Sequence, residues 1–306
     1  MKRYIEMWSS GVGSWAAAKR RVAAVGVEPI TLLFTDTLIE DEDNYRFLIE
    51  GAANILGASL PRQFVPPIDS FPPIWEPEAR ALFLRGLAAE TMELLPGFVW
   101  LIEGRNPWQV FFDERFLGNS RVDPCSRILK RQLADRWLAE NCDPAATVVD
   151  VGIDWSEAHR FDDGAGGGVR PRRGADGWVY EAPLTEAPFL TKRDVFRLVA
   201  AAGLRRPRLY DEGHSHANCG GWCIKAGHAQ AANLLRNRPE IYRYHEGQEL
   251  AIRAHLEADV SMMTDRRGGG GKRPLTMRAL RERIEAGGQI DMFDWGGCGC
   301  FSGVPE

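Results

Sequence analysis

The sequence predicts an α/β fold: a parallel sheet flanked by helices, followed by a mostly helical C-terminal extension. Three observations carry the prediction. Short β-prone runs alternate with helix-forming runs through residues 4–57, and glycines close the helical runs. At 44% the apolar share suits a folded chain, which sets aside disorder, coiled coil and collagen-like repeats. The 306 residues allow one large domain, or one domain with a smaller cap.

The first element is a strand, Tyr4-Ile5-Glu6-Met7-Trp8, alternating and β-prone. The turn Ser9-Ser10-Gly11-Val12-Gly13-Ser14 leads into Trp15–Ala24, rich in helix formers and stopped by Gly26. A second, buried strand at Ile30–Phe34 runs into Thr35-Asp36-Thr37, and Asp43–Leu56 has helical apolar spacing closed by Gly57. Strand, helix, strand and helix in this order imply a parallel sheet. Prolines make 61–77 irregular, and helices are expected at Glu78–Leu95, Pro107–Phe116 and Pro124–Asn141. A third strand is expected at Ala146–Val151, and the Gly- and Arg-rich residues 160–177 read as a mobile loop. Thr191 and Asp194 form a capping-box pattern for a helix running to Ala202. Two or three helices, a Gly268–Gly271 linker, a short helix from Thr276 and a cysteine-bearing tail complete the chain. The expected division is a nucleotide-binding α/β domain over 1–200 and a helical extension over 201–306.

No run approaches the roughly 20 apolar residues of a membrane span, and the N-terminus lacks the apolar core of a secretion signal. Six cysteines in so large a chain point to a reducing compartment, where thiols more often hold metal than pair. The cytoplasm is the expected location. Net charge is −4, so there is no global pull toward nucleic acid or anionic membrane. Among the cations, 32 Arg stand against 6 Lys, and Arg is the better bidentate partner for phosphate. The local clusters are Arg127/Lys130/Arg131, Arg170/Arg172/Arg173, Arg205/Arg206/Arg208 and Arg266/Arg267/Lys272/Arg273.

The turn Ser9–Ser14 carries the first functional signal. Its glycines let the backbone approach a ligand, the helix N-terminus behind it offers unpaired N–H groups, and the hydroxyls of Ser9, Ser10 and Ser14 add donors. Such a nest suits pyrophosphate or sulfate. The Walker and dinucleotide glycine patterns are both absent, and a ligand-free tight turn is the bland alternative.

Strand, Ser-Ser-Gly-Val-Gly-Ser and helix together resemble the pyrophosphatase loop of the PP-loop ATP pyrophosphatase superfamily, whose pattern is S-G-G-x-D-S/T. Leu33-Phe34-Thr35-Asp36-Thr37 looks like that family's adenosine-contacting segment, and Asp123-Pro124-Cys125-Ser126-Arg127-Ile128-Leu129-Lys130-Arg131 is similar to the C-[ST]-R-x-L-K segment of its phosphoadenylyl-sulfate (PAPS) reductase-like branch. The matches cover about half of the chain. The resemblance implies a Rossmannoid sheet, ATP as nucleotide with Mg²⁺, and cleavage between the α and β phosphates to adenylate a substrate. It implies that Ser9, Ser10, Gly11, Val12, Gly13 and Ser14 hold phosphates and that Asp36 orients adenosine. Arg127 and Lys130, three apart on one helix face, are phosphate clamps on this reading, with a solvated basic face as the alternative. Two departures stand out: Ser10 occupies the first glycine's place, and Gly13 occupies the place of the loop Asp, for which Asp36 is a substitute.

Cys219-Gly220-Gly221-Trp222-Cys223 and Cys298-Gly299-Cys300 form two close thiol pairs hedged by glycine. Four thiolates, Cys219, Cys223, Cys298 and Cys300, can surround Zn²⁺ or an iron–sulfur cluster such as [4Fe–4S]. Buried structural thiols and a redox disulfide are the alternatives. Cys142 reads as packing, and Cys125, beside Arg127, as packing or a reactive thiol. His216 reads as a ligand, an acid/base, a phosphate contact or a surface residue. The cysteine and nucleophile motifs of true PAPS reductases are missing, which argues against sulfonucleotide reduction. The favoured expectation is adenylation followed by sulfur transfer or another modification of a nucleobase in tRNA or DNA. Sulfonucleotide reduction and nucleotide sensing without turnover are its rivals. A homodimer is admitted by this reading, and a membrane partner is not.

Overall fold

Strand β1 (Arg3–Met7) is central to the sheet and pairs in parallel on both sides, with β2 (Ile30–Asp36) through Tyr4↔Ile30 and with β4 (Thr147–Asp150) through Tyr4↔Val148. The computed structural model describes residues 2–119, 121–265 and 273–296. Two edge strands complete the sheet: β3 (Phe98–Ile102) beside β2 and β5 (Val179–Glu181) beside β4, both parallel. The order is β3-β2-β1-β4-β5, a doubly wound arrangement whose strand order reverses between β1 and β4. All seven residues of β2, Ile-Thr-Leu-Leu-Phe-Thr-Asp, are buried, as expected for a strand covered on both faces.

Helices α1 (Val12–Val25), α2 (Glu42–Leu56), α3 (Pro77–Leu94) and α4 (Pro107–Asp113) come first. Next, α5 (Pro124–Ser126) continues through a π-turn at Arg127–Gln132 into α6 (Leu133–Asn141). Short helices α7 (Ala158–Phe161) and α8 (Val169–Ala175) precede α9 (Lys192–Ala201). The C-terminal part adds α10 (Arg208–Asp211), α11 (His228–Asn237) and α12 (Pro239–Leu256). A hairpin of β6 (Met263–Asp265) and β7 (Arg273–Leu275) and helix α13 (Met277–Glu285) follow. No helix among the described residues is long and apolar enough to cross a membrane.

Local chemistry explains the boundaries. Asp41 caps α2 by accepting from the Asp43 amide, and Gly57 ends it at φ 65°. Thr191 and Asp194 form a true capping box at α9, as the sequence predicts. The prediction fails at residues 160–177. They contain α8 rather than a loop alone, because Val169 is buried and Arg173 pairs with Asp135 on α6.

One core covers one face of the sheet around Trp8, Trp15, Phe34 and Phe47. Another covers the opposite face around Ile5, Leu33, Val149 and Tyr180. A third joins Trp108, Phe111 and Leu117 to Trp222, Tyr242, Met277 and Leu280. The C-terminal helices therefore share a core with residues from the first 200. Carboxylates at the start of α2 tie the two parts further: Asp41 accepts from Arg208 and Arg238, and Asp43 from Arg46 and Arg205.

Candidate functional site

A cleft of about 700 Å³ opens at the C-terminal ends of β1 and β4, where the strand order reverses. Doubly wound sheets bind ligands at this place. One wall is the β1–α1 turn, with Ser9, Gly11, Val12, Gly13 and Ser14; the other is the segment after β4, from Val151 to Glu157. Lys130, Arg160, Lys192 and His216 bring basic groups to the lining.

The turn is built by its hydroxyls. Ser10 sits at φ 57°, the left-handed region that favours glycine. Its hydroxyl holds it there, donating to the Ser9 carbonyl at 2.5 Å and accepting from Asn44 Nδ2 at 2.6 Å. Ser10 is thus fully buried and is not among the cleft-lining residues, which corrects its expected role as a ligand donor. Ser14 Oγ donates to the Gly11 carbonyl at 3.0 Å and lies 3.1 Å from Ser9 Oγ. Gly152 makes the opposite wall fit: a Cβ there would lie 2.8 Å from Ser14 Cα. The Tyr210 hydroxyl reaches over from α10 and accepts from the Val12 amide at 3.4 Å.

Asp36 lies elsewhere. It is fully buried and accepts from the Leu38 amide, the Tyr45 hydroxyl and Trp100 Nε1 at 2.7, 2.8 and 3.0 Å. Burial pushes its carboxyl up, and those three donors oppose the shift. Asp36 does not line the cleft, so neither adenosine contact nor substitution for the loop Asp follows from its position. The acids that do line it are Asp154 and Glu157, which composition and motif reading passed over.

Arg127 and Lys130 part company. The π-turn winds more widely than an α-helix, so residues three apart no longer share a face. Arg127 pairs with Glu114 in a separate cleft of about 260 Å³. Lys130 is buried, lines the main cleft, and lies 3.6 Å from Glu40 and 4.0 Å from Cys219 Sγ. The predicted cluster Arg205/Arg206/Arg208 proves to be structural, and Arg266, Arg267 and Lys272 lie outside the described residues. Arg205 and Arg208 are bound to Asp43 and Asp41, and Arg206 to Asp211.

Lys130 also lines a second, small cavity of about 20 Å³, together with Cys125, Cys219, Cys223, Asp123 and Lys225. Cys219 is held at φ 56° while its amide donates to Glu40 Oε2 at 2.5 Å. Gly220 follows at φ 62°, where a Cβ would lie 2.5 Å from the Ile39 carbonyl oxygen. The Lys225 amide approaches Cys223 Sγ at 3.4 Å. Trp222, buried and lining the cavity, stacks on His245 with ring centroids 4.3 Å apart. The expected C-x3-C pair therefore gains Cys125 as a neighbour, which the sequence reading left aside. Cys298 and Cys300 lie outside the described residues. The last described residue, Gly296, bridges Ala226, three residues beyond Cys223. Thiols suit Zn²⁺ or an iron–sulfur cluster chemically. Among the described residues, however, no group of three or more His, Cys, Asp or Glu is positioned to hold a metal ion.

His216 faces the cleft with its buried Nδ1 lacking a hydrogen-bond partner. Burial, helped by the nearby cations His214, Lys192, Lys130 and Arg160, pulls its pKa down to about 4. At neutral pH it is an uncharged imidazole whose open Nδ1 can accept a hydrogen bond, and the same surroundings disfavour its protonated form.

Fold and site define a doubly wound α/β protein with a hydroxyl-lined, basic cleft at its strand-order reversal and a thiol-lined cavity behind it. No protein-family model and no curated protein matches the chain.

Proposed function

We propose that the chain is a PP-loop ATP pyrophosphatase. It cleaves ATP to AMP and pyrophosphate to adenylate a substrate, for sulfur transfer or another modification of a nucleobase in tRNA or DNA. One observation carries the reading: the cleft lined by Ser9, Gly11, Val12, Gly13 and Ser14 and the cavity lined by three cysteines share Lys130 as a common wall. Phosphate chemistry and thiol chemistry in one enzyme need such adjacency.

In this mechanism the first-turn amides of α1 and the hydroxyls of Ser9 and Ser14 hold the β and γ phosphates. An acceptor oxygen attacks the α-phosphorus, the bond from that phosphorus to the bridging oxygen breaks, and pyrophosphate leaves. Lys130 and Lys192 balance the developing charge, and His216 accepts a hydrogen bond from the acceptor, whose proton leaves with the pyrophosphate. Mg²⁺, for which Asp154 and Glu157 are the oxygen ligands in reach of the cleft, would neutralise phosphate charge. A soft metal or cluster would be held by Cys219 and Cys223 together with Cys298 and Cys300, which lie outside the described residues, and would supply sulfur or redox chemistry.

Gly13 favours a second reading, nucleotide binding without turnover, because it leaves the loop without the family's Asp. The test is to purify the protein without oxygen, measure iron, zinc and sulfide, and follow AMP and pyrophosphate formation from ATP with Mg²⁺ and total cellular RNA or DNA. Stoichiometric AMP and pyrophosphate support the enzyme. ATP binding without products supports the sensor, and absence of ATP binding refutes both.

A further inference from the structure

Two large rings stand in water at the mouth of the cleft. Trp155, which lines the cleft, is 44% exposed, and Phe189 beside it is 60% exposed. Their centroids are 5.9 Å apart, with ring planes at 53°. Trp155 is oriented as well as exposed: its indole N–H donates to the Leu190 carbonyl at 2.9 Å, which ties it to the segment that carries Phe189. A third ring, Trp295, lines the cleft from the C-terminal part and is 36% exposed. Aromatic faces left in solvent forgo the free energy that burial would give, and exposed apolar patches commonly mark binding surfaces.

Cations accompany the rings. Lys192 follows Phe189 by three residues and lines the cleft; Arg160, within the short helix after Trp155, lines it too and pairs there with Glu157. The next helix, α8, carries Arg170 at the surface beside Asp162, and its Arg172 lies near Arg173 and Arg131, which pair with Asp135 and Asp123. Burial, and after it the charges of Arg173 and Arg131, draw the Arg172 pKa down.

We infer that the rim of Trp155 and Phe189, with Lys192, is a stacking platform for an unpaired nucleotide of a single-stranded nucleic acid. The inference rests on the reading of the cleft as a site of nucleobase modification. Aromatic faces take bases without regard to sequence, and the neighbouring cation takes phosphate. A base within a duplex has no face free to stack, so the platform selects unpaired or extruded nucleotides. Phe189 does not line the cleft, so the ring pair extends past the space for a mononucleotide and suits a polymer that enters from outside.

The test uses the full chain and a fluorescent single-stranded oligonucleotide of about 12 nucleotides, of mixed sequence, read by anisotropy. The expected result is binding that weakens with added salt and falls about tenfold or more in Trp155→Ala and in Phe189→Ala. Trp155→Phe should retain most of the affinity, since it keeps a stacking face. ATP binding and pyrophosphate release are measured on the same samples, and thermal unfolding checks that the variants fold. Equal affinity for the matching duplex overturns the proposal. So does wild-type oligonucleotide affinity in both alanine variants, or a loss in Trp155→Ala confined to ATP, which would assign the ring to adenine. Oligonucleotide binding in protein that never binds ATP upholds the platform and refutes the adenylation reading. ATP turnover without oligonucleotide binding does the reverse.

Discussion

Gly152→Ala tests whether the loop after β4 holds the phosphate turn in place. The new Cβ would lie 2.8 Å from Ser14 Cα, 2.9 Å from Ser14 N and 3.1 Å from Ser14 Cβ, where ordinary contact begins near 3.4 Å. Two backbones must therefore separate by at least about 0.6 Å, the difference between 3.4 and 2.8 Å. Neither can rotate away as a side chain would. Ser14 carries the displacement to Ser9, through their 3.1 Å hydroxyl contact, and to the first turn of α1. Overpacking of this kind costs about 1–3 kcal/mol. If the wall yields, stability falls by that amount; if the turn yields, ATP affinity falls by the equivalent, roughly 5- to 150-fold. Calorimetric ATP titration and urea unfolding of the same preparations separate the two. Gly13→Ala is the matched control, because its Cβ would meet only the Gly152 carbonyl oxygen at 3.5 Å. It lies inside α1 and should gain up to about 1 kcal/mol in helix propensity without loss of binding. Wild-type stability and affinity in Gly152→Ala, or equal damage from Gly13→Ala, would refute the reasoning.

Three further outcomes follow from buried polar groups. Glu6 faces Asp150 across the β1–β4 register, and burial, then the charge of Asp150 and the hydrogen bond to it, raise its carboxyl well above the usual range. A raised carboxyl gives stability that is full below the unfolded pKa and lost as pH rises through the folded one. Glu6→Gln should therefore be more stable than wild type at pH 8 by on the order of 1 kcal/mol, with the advantage gone near pH 4, in urea titrations. His245 and His216 are shifted the other way, chiefly by burial, His216 to about 4, so the stability they confer is present above the unfolded pKa and lost as pH falls. Their NMR ring signals should still be those of neutral imidazole at pH 5, and protonation of either there would contradict the structure. Arg80 is fully buried and donates to the carbonyls of Leu38, Glu40 and Pro72 and to Glu42. Arg80→Met should cost about 3–5 kcal/mol in urea unfolding, because it strands those acceptors.

The strand–helix alternation that opens the chain is legible because it is local. Apolar period, a glycine stop and a capping pair such as Thr191–Asp194 each act within a few residues. β3 escapes that reading: Phe98–Ile102 begins four residues after α3 ends, so one apolar run passes from helix to strand with only Leu95-Pro96-Gly97 between them. α8 escapes because its only deeply buried residue is Val169, and its stability comes from a contact with Asp135, distant in sequence. Periodicity carries no trace of such a partner.

The site was legible as motifs but not as partners. Ser9–Ser14 lies at the end of β1, as the pattern suggests, yet Ser10 turns inward because the residue that satisfies it, Asn44, comes from α2. The spacing of Arg127 and Lys130 assumes an α-helix, and a single π-turn sends them to different cavities. Cys125 joins Cys219 and Cys223 only through the third core, which brings residues about a hundred positions apart to one cavity. Charge clusters mislead for a related reason. A sequence counts cations, but Arg205, Arg206 and Arg208 are already matched by the carboxylates of Asp43, Asp211 and Asp41, and a matched guanidinium has little left to offer phosphate. A nucleic-acid partner would instead meet Lys192 and the exposed rings beside it, where charge and stacking surface come together at the cleft.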